Sequence, residues 1–303
     1  MTSLCRRSLP GLTAAMALAA AGMLSAGRAA QVPPPPLTIS HEARAVAPGE
    51  AVLLTFQAAS GLASVRGTAF GHPFAAYPGD APGTWHALVG IDLSTSPGSS
   101  DVAVEARQAD GSPVRAGARL AVEAKTFATR RLTVAPEFVT PPASVQARIE
   151  RERQLLDRIL SAVSPQRLWA DGFGRPVAGE VISVFGVRSV FNGEARAPHR
   201  GIDFRGASGT PVRAPARGRV VLAEDLYFSG SSVVLDHGLG VFSLLAHLSR
   251  IDVRPGTRVA KGDVVGAIGA TGRVTGPHLH WTLRIGPAAV DPLSVLALAG
   301  ARR

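Results

Sequence analysis

The stretch GATGRVTGPHLHWTLRIG, Gly269–Gly286, joins a glycine-rich turn to an alternating run. A strand sends every second side chain to one face, so His278 and His280 project together while Leu279 faces the other way. The glycines lack the lysine and the following helix of a phosphate loop, and read as a tight turn that delivers His278 to a site. An H-x-H pair alone fits strand decoration, a metal site or a catalytic pair. Its meaning depends on partners elsewhere in the chain.

Such partners are present. HRGID supplies His199 and Asp203, and LLAHLS supplies His247. Pro198 and Gly201 argue against a helix there, and a spacing of four is even on a strand, so His199 and Asp203 are expected on one side. Zinc takes nitrogen and oxygen donors tetrahedrally, and a catalytic site uses three protein ligands with the fourth position open. His199, Asp203 and one of the later pair can meet one ion. His237, in LDHG, reads as a structural strand-end histidine. His41, His72 and His86 are isolated in sequence and read as ordinary surface or core histidines. Cys5 is the single cysteine and precedes the apolar run of the leader, so a processed chain has no disulfide and no thiolate ligand.

From about residue 178 onward, RVVLAED, SSVVLDHG, VFSLLAHLS and DVVGAIG are short apolar segments divided by Gly, Pro or Asp. They predict a mainly antiparallel β domain over 178–296. RPGTRVAKGDVVGAIG has the rhythm of biotinyl- or lipoyl-carrier hairpins, but Lys261 is followed by Gly262 and no modified-lysine turn is evident. Upstream, DVAVEARQ and RLAVEAK alternate, with turns at Pro97-Gly98 and Asp110-Gly111, and predict a β-sandwich over 37–136. Between these regions, Ile149, Leu156, Ile159 and Val163 follow helical spacing, with Pro141, Pro142 and Pro165 as bounds. This predicts a linker helix over 141–165, packed between the two domains.

The chain has 303 residues, 33 glycines and 23 prolines, which suits strands and turns better than long helices. Residues 1–30 have the layout of a secretory signal peptide: Arg6 and Arg7, an Ala/Leu/Met-rich run, then small residues. Residues 31–36, QVPPPP, read as an extended tether. No stable membrane insertion is expected once the leader is removed. The net charge of +10 favours anionic partners. No dense basic run or aromatic-basic interleaving occurs, so nucleic acid is not expected.

Three segments, FNGEARAPHRGIDFRGASGTPVRAPARGRVV, VVLDHGLGVFSLLAHLS and GATGRVTGPHLHWTLRIGPAAVDPL, come in an order that resembles the lysostaphin/LytM-type zinc metalloendopeptidases. The resemblance covers roughly residues 180–295. RLTVAPEFVTPP and the preceding sandwich are similar to the amino-terminal domain of secreted Gram-negative members. The resemblance implies a fold related to the duplicated hybrid motif and one Zn2+ ion on His199, Asp203 and His280. It implies catalytic roles for His247 and His278, hydrolysis of peptidoglycan stem peptides or cross-links, and action in the periplasm or cell envelope. Non-catalytic relatives that activate an amidase typically lose metal ligands, whereas all five positions are filled here. One departure is Leu245, where the family often has tyrosine, which implies a change in local packing or substrate contact.

Overall fold

The computed structural model describes residues 37–59, 61–133 and 141–298. The expected signal peptide (1–30) and tether (31–36) lie outside the described residues, as does the end of the 37–136 segment. Eight strands come first: β1 Thr38–Ala43, β2 Ala51–Gln57, β3 Leu62–Ala69, β4 His72–Ala75, β5 Tyr77–Pro78, β6 Thr84–Gly90, β7 Gly98–Gln108 and β8 Pro113–Val122. They form two antiparallel sheets, ordered β1-β2-β6-β5 and β4-β3-β7-β8. Val52, Leu54 and Phe56 of β2 meet Val102, Val104 and Ala106 of β7 in the core between them. These β7 residues are the alternating face that DVAVEARQ predicts.

The next elements are β9 Thr129–Leu132, α1 Ala143–Leu160, β10 Val181–Ser183, β11 Arg188–Phe191 and β12 Glu194–Ala195. Those that follow are β13 Ile202–Arg205, β14 Pro211–Arg213, β15 Gly218–Leu226, β16 Gly230–Gly238, β17 Val241–Ile251, β18 Arg258–Val259, β19 Val264–Ile268, β20 His278–Ile285, β21 Ala288–Val290 and α2 Pro292–Ala297. A large antiparallel sheet runs β10-β13-β20-β17-β16-β15-β18, with β14, β19 and β21 paired at its margins. The chain is mainly β, as expected. β9 pairs parallel with β11 and not with the sandwich, and makes a small sheet with β12.

α1 ends at Leu160, earlier than Pro165. Beyond it the backbone is engaged with β16: the Leu239 amide donates to Ser164 O (2.8 Å) and the Ser164 hydroxyl bonds the Asp236 carboxylate. Val163 therefore leaves the helical stripe and is exposed. Leu155, Leu156, Ile159 and Leu160 pack on Leu222, Leu226, Val234 and Phe242 of the large sheet.

The sandwich and the large sheet share a core. Ala51, Leu53, Tyr77 and Leu88 belong to the cluster that holds Trp169, Leu235, Leu245 and Trp281. β2 is thus covered on both faces, which explains the continuous apolar run AVLL at its start. Polar bonds reinforce the junction. The Asp291 amide donates to Gly49 O (2.7 Å), the Ala51 amide to Ser294 Oγ (3.0 Å), and Arg44 pairs with both Glu50 (2.7 Å) and Asp291 (2.6 Å).

Candidate metal centre

β20 explains why two histidines arrive together. Its residues alternate: Leu279, Trp281, Leu283 and Ile285 are buried in the core, and His278, His280, Thr282 and Arg284 line the other face. β13 pairs with it in a register that sets Asp203 opposite His280. His199 does not reach the site by strand parity, because β13 begins only at Ile202. It comes from a loop anchored by its own backbone: its amide donates to Val187 O (2.9 Å) and its carbonyl accepts from Gly186 (2.8 Å). Gly201 makes that path possible. A Cβ there would lie 2.5 Å from Trp281 O and 2.7 Å from the His280 ring.

Three donor atoms converge. His199 Nε2 is 3.1 Å from Asp203 Oδ1 and 3.0 Å from His280 Nδ1, and His280 Nδ1 is 2.8 Å from Asp203 Oδ1. Tetrahedral ligands at ordinary Zn–N and Zn–O lengths stand about 3.3 Å apart, close to these separations. The remaining ring nitrogens are occupied. His199 Nδ1 donates to Val184 O (3.0 Å) and lies 3.3 Å from Ser183 Oγ, and His280 Nε2 lies 2.9 Å from Thr282 Oγ1. Bonds of this kind fix the tautomer and ring orientation that a metal ligand needs. Donor set and outer bonds both fit zinc.

His247 and His278 stand beside the three, with ring centres 4.9 Å apart, and His247 is 5.9 Å from the His280 ring. His247 Nδ1 donates to Thr271 O (2.9 Å) and His278 Nδ1 to Gly276 O (2.8 Å). Among the described residues no hydrogen bond engages either Nε2, and that of His278 is 3.9 Å from Asp203 Oδ1. The five residues singled out in the sequence are therefore all brought together.

Burial and charge oppose each other here. Burial would raise the Asp203 pKa, but the bonds from His199 and His280 hold it well below the usual carboxylate range. Burial lowers His199, yet Asp203 outweighs it and the net direction is up; Arg130 of β9 opposes this rise with its charge. His280 is held down by burial despite Asp203. Burial, then the charge of His280, push His247 down to about 4.

Other residues have structural positions. His237 is fully buried, between Arg217 O (2.9 Å) and Ser243 Oγ (2.9 Å), with burial pushing it down to about 4. Lys261 Nζ donates to Asp171 O (2.9 Å), so it is tied to the body of the fold. Leu245 is buried in the shared core, so the departure from tyrosine is a packing change. Ser183, Val184, Thr271 and Thr282 were not singled out in the sequence. Only Thr282 carried a signal, lying two residues past His280 on the same strand face.

The model of peptidase family M23 matches residues 197–292, which contain all five residues. A solved structure described as a candidate M23 peptidase from Pseudomonas aeruginosa is 33% identical, with a TM-score of 0.63, covering 83% of this chain and 94% of that one. The chain belongs to peptidase family M23, which bears out the resemblance to the lysostaphin/LytM type. Among curated relatives, the DD-carboxypeptidase/endopeptidase Mpg of Neisseria meningitidis is 44% identical over 97 residues, 32% of this chain and 22% of that protein. The peptidoglycan DD-endopeptidase ShyA of Vibrio cholerae is 45% identical over 87 residues, 29% of this chain and 20% of that protein. This chain thus spans about a fifth of the length of these relatives. Among the described residues, no helix is long and apolar enough to cross a membrane.

Proposed function

We propose that the protein is a zinc-dependent endopeptidase that hydrolyses peptide bonds of peptidoglycan stem peptides or cross-links in the cell envelope. The observation that carries this reading is the convergence of His199 Nε2, Asp203 Oδ1 and His280 Nδ1 within 3.1 Å of one another, with two further histidines alongside. These three atoms would hold the ion. Zinc, when bound, supplies a Lewis acid and lowers the pKa of a coordinated water to about 7.

The chain's own residues supply the rest. Asp203 stays ionised and offsets part of the positive charge at the centre. His247 is neutral near pH 7, with its proton on Nδ1, so Nε2 can take a proton from the attacking water. His278, held in the same tautomer, is the second group able to hold or pass a proton, or to stabilise an oxyanion once protonated. The basic surface suits a polymer bearing carboxylates.

The test is digestion of purified sacculi, read by mass spectrometry of the soluble products. Fragments with new amino termini inside the peptides are expected. Release of intact peptides from the glycan, or of nothing, would overturn the reading in favour of an amidase-linked or binding role.

A further inference from the structure

His247 has an unusual backbone. Its φ is 64°, a left-handed value for a non-glycine residue. Such strain costs on the order of 1–3 kcal/mol and persists only where the surroundings over-determine it. The surroundings here are two interlocked turns. The His247 amide donates to Ser229 O (2.9 Å) and its Nδ1 to Thr271 O (2.9 Å). The Ser231 amide donates to Thr271 Oγ1 (2.9 Å), and the Arg273 amide to Phe228 O (2.9 Å). Gly230, at φ 60°, lets the two backbones meet: a Cβ there would lie 2.3 Å from Thr271.

The turn Tyr227–Ser229 between β15 and β16 is held in its own right by α1. The Tyr227 amide donates to Glu152 Oε2 (2.7 Å), and Glu152 Oε1 accepts from Arg148 Nε (2.5 Å). Arg148 also donates to Asp225 O and Oδ2, both at 3.0 Å. Backbone N–H groups in turns need acceptors, and a helix carboxylate here supplies one that the sheet does not. The path from helix to histidine is therefore continuous: Glu152, the turn, then His247 and Thr271.

We propose that Glu152 is a positioning residue for His247, acting through the Tyr227–Ser229 turn, so that α1 sets the geometry of proton transfer. The kinetic consequence rests on the function proposed above; the structural coupling does not. The full chain, loaded with zinc, tests both. Turnover of a cross-linked peptide dimer is measured with amide exchange at His247 and Ser231 for Glu152→Leu, Glu152→Gln, Glu152→Asp and Glu150→Ala. Among the described residues Glu150 bonds Arg153 and Gln154 on the exposed face of α1, away from the turn, and serves as the control.

Glu152→Leu is expected to lower kcat roughly tenfold, the scale of a small misorientation of a reacting group. KM and zinc content stay as in the wild type, and exchange at His247 and Ser231 quickens. Glu152→Gln keeps an acceptor for Tyr227 and recovers most of both. Glu152→Asp withdraws the acceptor by one methylene and gives a smaller effect of the same kind, which decides the matter should the leucine variant not fold. Unchanged exchange at His247 in either the Leu or the Asp variant would overturn the proposal. So would exchange rising uniformly over β15–β17 with no recovery in Gln. If the wild type hydrolyses nothing, the proposed function fails while the exchange measurement still decides the coupling.

Discussion

His280 and His247 have rings 5.9 Å apart; in the proposed function the first holds the ion and the second moves a proton, and substitution separates these roles. His280→Ala removes one of three converging donors, so zinc and activity are both expected to be lost, by metal analysis and dimer cleavage. His247→Ala leaves the donor set intact, so zinc stays while kcat falls by about 10²–10⁴, the usual worth of a positioned acid or base. Loss of zinc in His247→Ala would reverse the assignment. Thr282→Val leaves His280 Nε2 without its 2.9 Å partner. Zinc affinity is expected to weaken by about 10–100-fold, measured by competition with a chelator. His199, Asp203 and the His278/His280 pair stood out in the sequence as H-x-x-x-D and H-x-H spacings, whereas the choice of His280 over His278 came only from the family resemblance. Their outer partners were not, since a backbone carbonyl such as Val184 O carries no residue signature.

At the level of elements, β20 was readable because core and site alternate along it without interruption. The loop carrying His199 was not, because its course depends on Gly201 passing against Trp281 and on a bond to Val187. α1 was visible from its periodicity, but its end was not, because contacts of Ser164 with β16 fix it. β16 itself carries a pH dependence. His237 is fully buried and neutral, with its pKa pushed from 6.5 down to about 4. In this window the unfolded chain binds the proton and the folded chain does not, so stability rises with pH. Stability is therefore expected to fall by up to about 3 kcal/mol as pH drops from about 6.5 to about 4. His247 contributes in the same window, so urea titrations compare the wild type with His237→Gln: a smaller fall in the variant is expected, and equal falls would show that His237 does not carry it.

Over the whole molecule, the sandwich and the large sheet are joined by one core and by the Arg44 network. This union was not legible in the sequence. AVLL does not say which two layers cover β2, and Arg44 and Asp291 stand far apart in the chain. Glu50, only 2% exposed, accepts from Arg44 and from Lys125 (2.5 Å). Burial alone would raise its pKa, but the two cations bring the net direction below 4.5. Arg44→Ala leaves Glu50 with Lys125 alone and Asp291 without its cation. Arg44 is 37% exposed, so the cost is expected at about 2 kcal/mol, below that of breaking a fully buried pair. Urea unfolding checks this, and a loss under about 0.5 kcal/mol would mean that solvent replaces the bridge. The shared core leaves the metal centre untouched in that variant, so zinc content should not change. If one zinc ion on His199, Asp203 and His280 drives peptide hydrolysis, titrating zinc into metal-free protein while following peptide release from sacculi will show it. Release that rises with zinc and levels off at one equivalent is the expected result. Release without zinc, or one equivalent bound with no fragments, would contradict it.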